Sequence, residues 1–287
     1  MASAHDDVLF FTDRGRVFRI KAYEIPEAGR TARGLALVNL LQLQPDERLA
    51  AVIPVTKGVL AQCGEYLTMV TRQGIIKRTE ISLFARSKKT GGLIALNIRD
   101  GDALVAVLRT NVGGTVFLVT AQGMGIRFGE ADIRAVGRTA IGVRGISLRE
   151  DDFVVGADVV NEDSQILLVS STGYGKCIDM AKYRIQSRGG KGLTAYKPSD
   201  KVGRLVGAAA VTEKDELMLI TGEGVVIRLR VGDIRVMGRA AQGVKLIALA
   251  DGVPVVGMAR IAESENSENE SESGNENGGT GHDNGHE

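Results

Sequence analysis

The stretch Val116-Phe117-Leu118-Val119-Thr120-Ala121-Gln122-Gly123 decides the fold of this chain, because its pattern recurs along the sequence. A mainly apolar run leads into Thr or Ser, a short polar loop and a glycine, and a second apolar run follows. This pattern predicts a β-hairpin, since glycine tolerates the positive φ that a tight turn needs. The glycines that end these loops, here called the anchor glycines, are Gly15, Gly74, Gly123, Gly173 and Gly224.

A second glycine follows each anchor glycine after 18 or 19 residues. These second glycines are Gly34, Gly92, Gly142, Gly192 and Gly243. Each is followed by a strand-like stretch, such as Leu35–Leu40 or Val244–Leu249, then by a turn containing Asp and a last apolar strand. A repeat of about 50 residues with four strands is therefore predicted. The repeats span approximately residues 7–55, 66–108, 115–160, 165–211 and 216–261.

Repeats that cannot bury their faces alone usually close into a ring of blades, which removes the exposed edges of an open sheet. We therefore expect an all-β, propeller-like disc of about five visible four-stranded blades. It would occupy residues 7–262, after an N-terminal extension of residues 1–6. A chain that is 44% hydrophobic, with 37 glycines and only 5 prolines, can bury such a core and supply its turns.

The net charge of +1 conceals a strong asymmetry between the body and the C-terminal tail. Residues 263–287 contain eight acids and no Lys or Arg, so the first 262 residues hold 36 basic and 27 acidic residues and carry +9. A basic body indicates a polyanionic partner. The tail has the Ser, Glu, Asn and Gly content of a disordered segment. Two roles stay open for it: keeping the chain soluble, or competing with the polyanion.

Cations recur at one phase of the repeat, around the second glycine. If the repeats form a ring, equivalent phases occupy equivalent places, and these side chains form a circumferential series of phosphate-binding patches. Polar loops that merely solvated the disc would carry mixed signs instead. The residues, here called the rim cations, are Arg30, Arg33, Arg86, Lys88, Lys89, Arg134, Arg138, Arg144, Lys182, Arg184, Arg188, Lys191, Arg235 and Arg239.

The sharpest local motif is Gln186-Ser187-Arg188-Gly189-Gly190-Lys191-Gly192, here called the box-like loop. Its three glycines let the backbone approach a ligand closely, while Arg188 and Lys191 supply charge for phosphates. We expect Gln186, Arg188, Gly189, Gly190, Lys191 and Gly192 to contact the polyanion. The alternative is a tight connection between blades that happens to be charged.

Duplex DNA, bound through its backbone, is the polyanion that fits best. Aromatic residues make up only 4% of the chain, which argues against stacking on single strands, and no helix suited to the major groove is evident. A protein-binding propeller is the rival class.

No nucleotide-binding loop or zinc motif occurs, and Cys63 and Cys177 lie far apart, so no catalytic residue, metal or cofactor is predicted. Without a long apolar run or a secretory signal, we expect a cytoplasmic protein with no membrane contact.

The body from Asp7 to Ile261 resembles the C-terminal domain of the A chain of DNA gyrase. The box-like loop is similar to the gyrase A box, and Val17–Glu27, the Pro45-Asp46-Glu47-Arg48 turn and Val136–Gly145 echo the family in the same order. The resemblance implies a β-pinwheel, usually of six blades, that wraps double-stranded DNA around a basic rim. It also implies a monomeric, non-catalytic module of a bacterial, chromosome-associated enzyme. Its partners would be the ATPase B subunit of gyrase, together with the catalytic part of the gyrase A subunit, in ATP-dependent negative supercoiling.

Two departures from the family pattern bear on this resemblance. Ser187 stands where the family usually carries a second basic residue, and the box-like loop lies in the fourth repeat rather than in the first blade. Five repeats are visible where the family usually has six, so we expect the chain to begin at the second blade of the family. A topoisomerase IV type of C-terminal domain and a free-standing homologue are the alternatives.

Overall fold

The computed structural model describes residues 3–27, 35–61, 64–110, 113–250 and 252–262 of the 287-residue chain. Its strands are β1 (Asp7–Thr12), β2 (Arg16–Lys21), β3 (Leu49–Val55), β4 (Tyr66–Thr71), β5 (Ile75–Glu80), β6 (Leu93–Ile94), β7 (Leu104–Thr110), β8 (Thr115–Thr120), β9 (Met124–Gly129), β10 (Val143–Arg144), β11 (Val154–Val160), β12 (Gln165–Ser170), β13 (Tyr174–Asp179), β14 (Leu193–Thr194), β15 (Leu205–Val211), β16 (Glu216–Thr221), β17 (Val226–Arg230), β18 (Val244–Lys245) and β19 (Val255–Ile261). One four-residue helix, α1, spans Leu37–Leu40, and short 3-10 turns lie at Ala22–Glu24, Val59–Ala61, Ile81–Phe84, Glu130–Asp132, Met180–Lys182 and Val231–Asp233. The predicted all-β, five-bladed propeller is confirmed.

Each of the first four blades is built from two consecutive repeats. A hairpin and the strand that follows it come from one repeat, as in the antiparallel sheet β3-β1-β2. The fourth strand has only two residues and comes from the next repeat: β6 pairs with β2, β10 with β5, β14 with β9, and β18 with β13. The expectation that each repeat forms its own four-stranded blade was therefore wrong in its connectivity. The outer edge of a blade is completed by the chain of its neighbour.

The strand predicted at Leu35–Leu40 is the other error, because Leu37–Leu40 form helix α1. In the later repeats the equivalent stretch is extended, and it pairs with the hairpin of the preceding repeat. The backbone hydrogen bonds here close locally instead, from the N–H of Leu41 to the carbonyl of Leu37. In the described residues the last blade, β17-β16-β19, has three strands.

The anchor glycines occupy equivalent hairpin turns, as predicted. Their φ values lie between 73° and 82°, in the left-handed region that side chains other than glycine rarely adopt. Each of the first four anchors also lies close to the repeat that follows it. An ideal Cβ on Gly123 would stand 2.3 Å from the carbonyl oxygen of Tyr196, whereas one on Gly224, in the last blade, would meet nothing within 4 Å.

We expect Gly123→Val to destabilise the chain by about 3 kcal/mol or more, because it adds a clash with Tyr196 to the strain of a positive φ. Gly224→Val is the matched control, since it has the same φ region without the clash, and its loss is expected to be about 1–2 kcal/mol. Urea unfolding of the two variants measures the difference. Equal losses would show that the contact between repeats contributes nothing.

The core lies between neighbouring blades. Leu9 and Phe11 of β1 are buried with Leu67 and Met69 of β4 and with Phe84, whose ring meets Phe11 edge-on at 5.7 Å. Burial of each such side chain contributes about 1.5–3 kcal/mol. Because one apolar cluster is shared by two blades, a single repeat cannot bury its own faces, which is the physical basis of the repeat architecture.

Sheet order decides which parts of the chain lie outside. Strands β3, β7, β11, β15 and β19 stand at one edge of their sheets and pack against one another in sequence, so they form the inner side of the propeller. The two-residue strands β6, β10, β14 and β18 stand at the opposite, outer edge. The loops that carry the cations directly precede these outer strands. No helix within the described ranges is long and apolar enough to cross a membrane.

Candidate nucleic-acid interface

The rim cations that the structure describes lie along the outer edges of the blades. Arg138 and Arg239 are half-buried, and the others are exposed: Arg86, Lys88, Lys89, Arg134, Arg144, Lys182, Arg184, Arg188, Lys191 and Arg235. Arg30 and Arg33 fall outside the described residues, as does the acidic tail of residues 263–287. The cations of repeats two to five therefore lie on or beside the outer edges of four successive blades.

Neighbouring basic loops contact one another directly. The guanidinium of Arg138 donates to the carbonyl of Ile94 at 2.8 Å, and the side-chain amide of Asn97 donates to the carbonyl of Thr139 at 2.6 Å. At the next junction, the N–H of Gly189 donates to the carbonyl of Gly145 at 2.7 Å. Hydrogen bonds thus connect the outer edges of repeats two, three and four at these two junctions.

The box-like loop is held against the preceding basic loop through its backbone. Ser147 donates its hydroxyl to the carbonyl of Gly189 at 2.7 Å and its N–H to the carbonyl of Gly190 at 2.9 Å. Gly189 has a φ of 82°, and an ideal Cβ on Gly192 would stand 2.5 Å from the carbonyl oxygen of Gly125. These glycines are therefore required by the turn and by close packing on β9.

The side chains of the box-like loop have different surroundings. The guanidinium of Arg188 is exposed, and it donates Nε to the carbonyl of Asp132 at 2.9 Å and Nη1 to the carbonyl of Arg144 at 3.2 Å. Lys191 is exposed. Gln186 is half-buried, and its N–H donates to the carbonyl of Arg127 at 2.8 Å. Arg188 therefore ties two basic loops together while it remains at the surface.

Some rim cations are paired within the protein. Lys89 forms an ion pair with Glu24 at 2.8 Å, and this partner raises the pKa of the Lys89 ammonium. Lys182 pairs with Asp179 at 2.9 Å. Both pairs are partly exposed, so they contribute little to stability.

The arginines four residues after the anchor glycines serve the blades themselves. Arg78 forms an ion pair with the buried Glu130 at 3.1 Å, Arg19 approaches Asp7 at 3.8 Å, and Arg228 pairs with Glu216. Arg127 is buried and donates Nε to the hydroxyl of Thr115 at 3.1 Å. From sequence, structural pairing and phosphate contact were equally open for this set. The structure places all four in internal contacts.

Two functional candidates escaped the sequence reasoning: Lys77 on β5 and Lys176 on β13. Both are buried beneath basic loops, with exposed fractions of 1% and 0%. Burial lowers the pKa of Lys77 to about 7 and that of Lys176 to about 8. The sequence did contain a signal for these lysines. Three residues after the anchor glycine, the second and fourth repeats carry Lys77 and Lys176, whereas the third and fifth repeats carry Ile126 and Ile227.

The comparisons with known proteins agree with this architecture. The model of the family described as DNA gyrase C-terminal domain, beta-propeller, matches residues 6–56, 65–111, 114–161, 164–212 and 215–262. The DNA gyrase A protein of Staphylococcus epidermidis is 43% identical over 265 residues, which cover 92% of this chain and 29% of the relative. That of Mycolicibacterium smegmatis is 42% identical over 276 residues, covering 95% of this chain and 32% of the relative. The chain thus spans less than a third of the length of these relatives.

Solved structures show the same fold. A DNA gyrase A C-terminal domain matches with a TM-score of 0.77 and 27% identity, over 91% of this chain and 84% of that one. A DNA topoisomerase IV C-terminal domain matches with a TM-score of 0.81 and 24% identity, over 90% and 80% of the two chains. Because the family model covers all five repeats and the sequence relatives are gyrase A proteins, the chain belongs to the DNA gyrase C-terminal domain family of β-propellers.

Proposed function

We propose that this chain binds duplex DNA through the rim cations and curves it around the outer edge of the propeller. The observation that carries the proposal is the series of exposed Arg and Lys at the outer edges of four blades, with hydrogen bonds that join the loop of the third repeat to its neighbours on both sides. Arginine and lysine at such a surface neutralise phosphates without reading bases. The binding is therefore expected to be independent of DNA sequence.

Curvature follows from the shape of this surface. Bending a site of 20–30 base pairs costs about 1–6 kcal/mol by elastic estimates, so several contacts must act together. The described rim offers them on four consecutive outer edges, formed by β6, β10, β14 and β18 with their preceding loops. A duplex that follows these edges is wrapped rather than merely bound.

The chain acts, in this proposal, as a non-catalytic module of a gyrase. Its sequence relatives at 42–43% identity are gyrase A proteins, which favours gyrase over topoisomerase IV. The remaining parts of the enzyme would supply ATP hydrolysis, from the B subunit, together with strand passage, from the catalytic part of the A protein. The wrap would present a neighbouring DNA segment to them and direct the reaction toward negative supercoiling in the cytoplasm.

A ligation assay tests wrapping directly. A nicked circular plasmid is sealed in the presence of increasing amounts of the chain, the protein is removed, and the linking number is read on a gel. We expect the linking number to shift progressively with protein, because each wrapped duplex constrains a turn of fixed sign. A protein-binding propeller would leave it unchanged, so no shift at saturating protein and low salt would refute the proposal.

A further inference from the structure

Two rim loops are fixed from below by a buried ammonium group. Nζ of Lys77 donates to the carbonyl of Arg138 at 2.5 Å and to that of Gly137 at 3.3 Å. Nζ of Lys176 repeats the arrangement two blades further on, at 3.0 Å from the carbonyl of Gly238 and 2.8 Å from that of Arg239. In both loops, two successive carbonyl groups therefore point inward, toward the lysine.

Peptide geometry turns the corresponding N–H groups outward. In a planar trans peptide the N–H points opposite to the carbonyl of the preceding residue, and no described peptide bond is cis. When the carbonyls of Gly137 and Arg138 face Lys77, the N–H groups of Arg138 and Thr139 face solvent. Neither N–H donates a hydrogen bond to any described part of the chain. Consecutive outward N–H groups form a concave site for an anion.

No contact within the described protein requires a glycine at position 137 or at position 238 of these two loops. Neither Gly137 nor Gly238 has a φ in the left-handed region, and an ideal Cβ on either would meet no atom within 4 Å. Any small side chain would therefore fit the fold at both positions. Glycine at an unstrained, open position is explained when something outside the chain must approach the backbone closely.

We propose that each of these loops binds one phosphate group of duplex DNA through two consecutive backbone N–H groups. The donors are those of Arg138 and Thr139 in one loop and of Arg239 and Ala240 in the other. This inference rests on the proposed function, and it adds a second kind of phosphate site to the side-chain contacts of the rim.

The buried lysines make these sites electrostatically favourable. Below their pKa values of about 7 and about 8, the amino groups of Lys77 and Lys176 are charged and stand at the inner ends of the aligned peptide dipoles, so the positive charge is carried toward the surface by the N–H groups. Hydrogen bonds that involve a charged partner are stronger than neutral ones, and the low dielectric around Lys77 and Lys176 screens the charge only weakly. A lysine that never touches DNA thus contributes to holding it.

The box-like loop provides an internal contrast. There, the carbonyls of Gly189 and Gly190 accept hydrogen bonds from Ser147, and the residue beneath the loop is Ile126 instead of a lysine. Its charge comes from side chains at the surface. The two kinds of loop alternate along repeats three, four and five, so this part of the rim is expected to hold DNA alternately by backbone and by side chain.

The test is the double variant Gly137→Ala with Gly238→Ala. The added methyl groups meet no protein atom, so folding stability is expected to stay the same or rise slightly. They obstruct the approach of a phosphate, and we expect the affinity for a duplex of about 30 base pairs to fall about tenfold. Because no formal charge is lost, the slope of log K against log salt should not change.

Two comparison variants separate this from other causes. Gly257→Ala, on the inner strand β19 and with equally open space, should leave DNA affinity unchanged. Arg138→Ala with Arg239→Ala should make the slope of log K against log salt shallower by about 2, since this double variant removes two formal charges. Unchanged affinity in the glycine double variant would overturn the inference and leave the proposed function standing. Failure of the unmodified chain to bind the duplex would overturn the proposed function itself.

Discussion

Raising the salt concentration from about 50 to about 200 mM is expected to weaken the affinity of this chain for duplex DNA about 10⁴-fold. If the rim neutralises about eight phosphates, counterion release gives a slope of log K against log salt of about −7. The described rim carries enough exposed cations for this number. Fluorescence anisotropy titrations at several salt concentrations, with a labelled duplex, measure the slope.

Two unrelated duplex sequences of equal length serve as the control for specificity. Their affinities and slopes should agree, because the contacts go to phosphates and not to base edges. Circular dichroism at each salt concentration verifies that the chain stays folded. A slope near zero would favour the protein-binding propeller, since a docking surface of that class does not release counterions from DNA.

The double variant Arg188→Ala with Lys191→Ala is expected to abolish most of the linking-number change in the ligation assay. Arg188 carries charge and also ties its loop to the carbonyls of Asp132 and Arg144, so its loss weakens the contact between two neighbouring loops. Simple binding should suffer less, because the other rim cations still attract the duplex. We expect the slope of log K against log salt to become shallower by only about 2.

The matched control is Arg86→Ala with Lys88→Ala, which removes two exposed charges from a loop on the first blade. Its salt slope should fall by the same amount, while most of the wrapping is retained. If both double variants lose wrapping equally, the box-like loop is one more basic patch, and the assignment by family resemblance is wrong for this chain.

Local chemistry made the hairpins predictable from sequence. A positive φ at the end of a short loop requires glycine almost regardless of the surroundings, so Gly15, Gly74 and Gly123 mark their turns without reference to other residues. The distance of 18 or 19 residues to the second glycine then gave the repeat, and the repeat gave the propeller. The rim cations followed because equivalent phases of a repeat occupy equivalent places in a ring.

Contacts between distant parts of the chain were decided only by the tertiary structure. No local sequence pattern shows that a repeat gives its short outer strand to the preceding blade. A two-residue strand is defined by its pairing partner and not by its own sequence, as for β6, β10, β14 and β18. For the same reason, Leu37–Leu40 have the composition of a strand and form a helix.

The chemistry of the rim divides in the same way. Sequence placed Arg188 and Lys191 on a surface loop, since charge and glycine content are local properties. It did not reveal that Arg188 bonds a carbonyl 56 residues away, nor that Lys77 and Lys176 lie inside the fold beneath Arg138 and Arg239. Burial depends on which loop is folded over a side chain, and that loop comes from the next repeat of the chain.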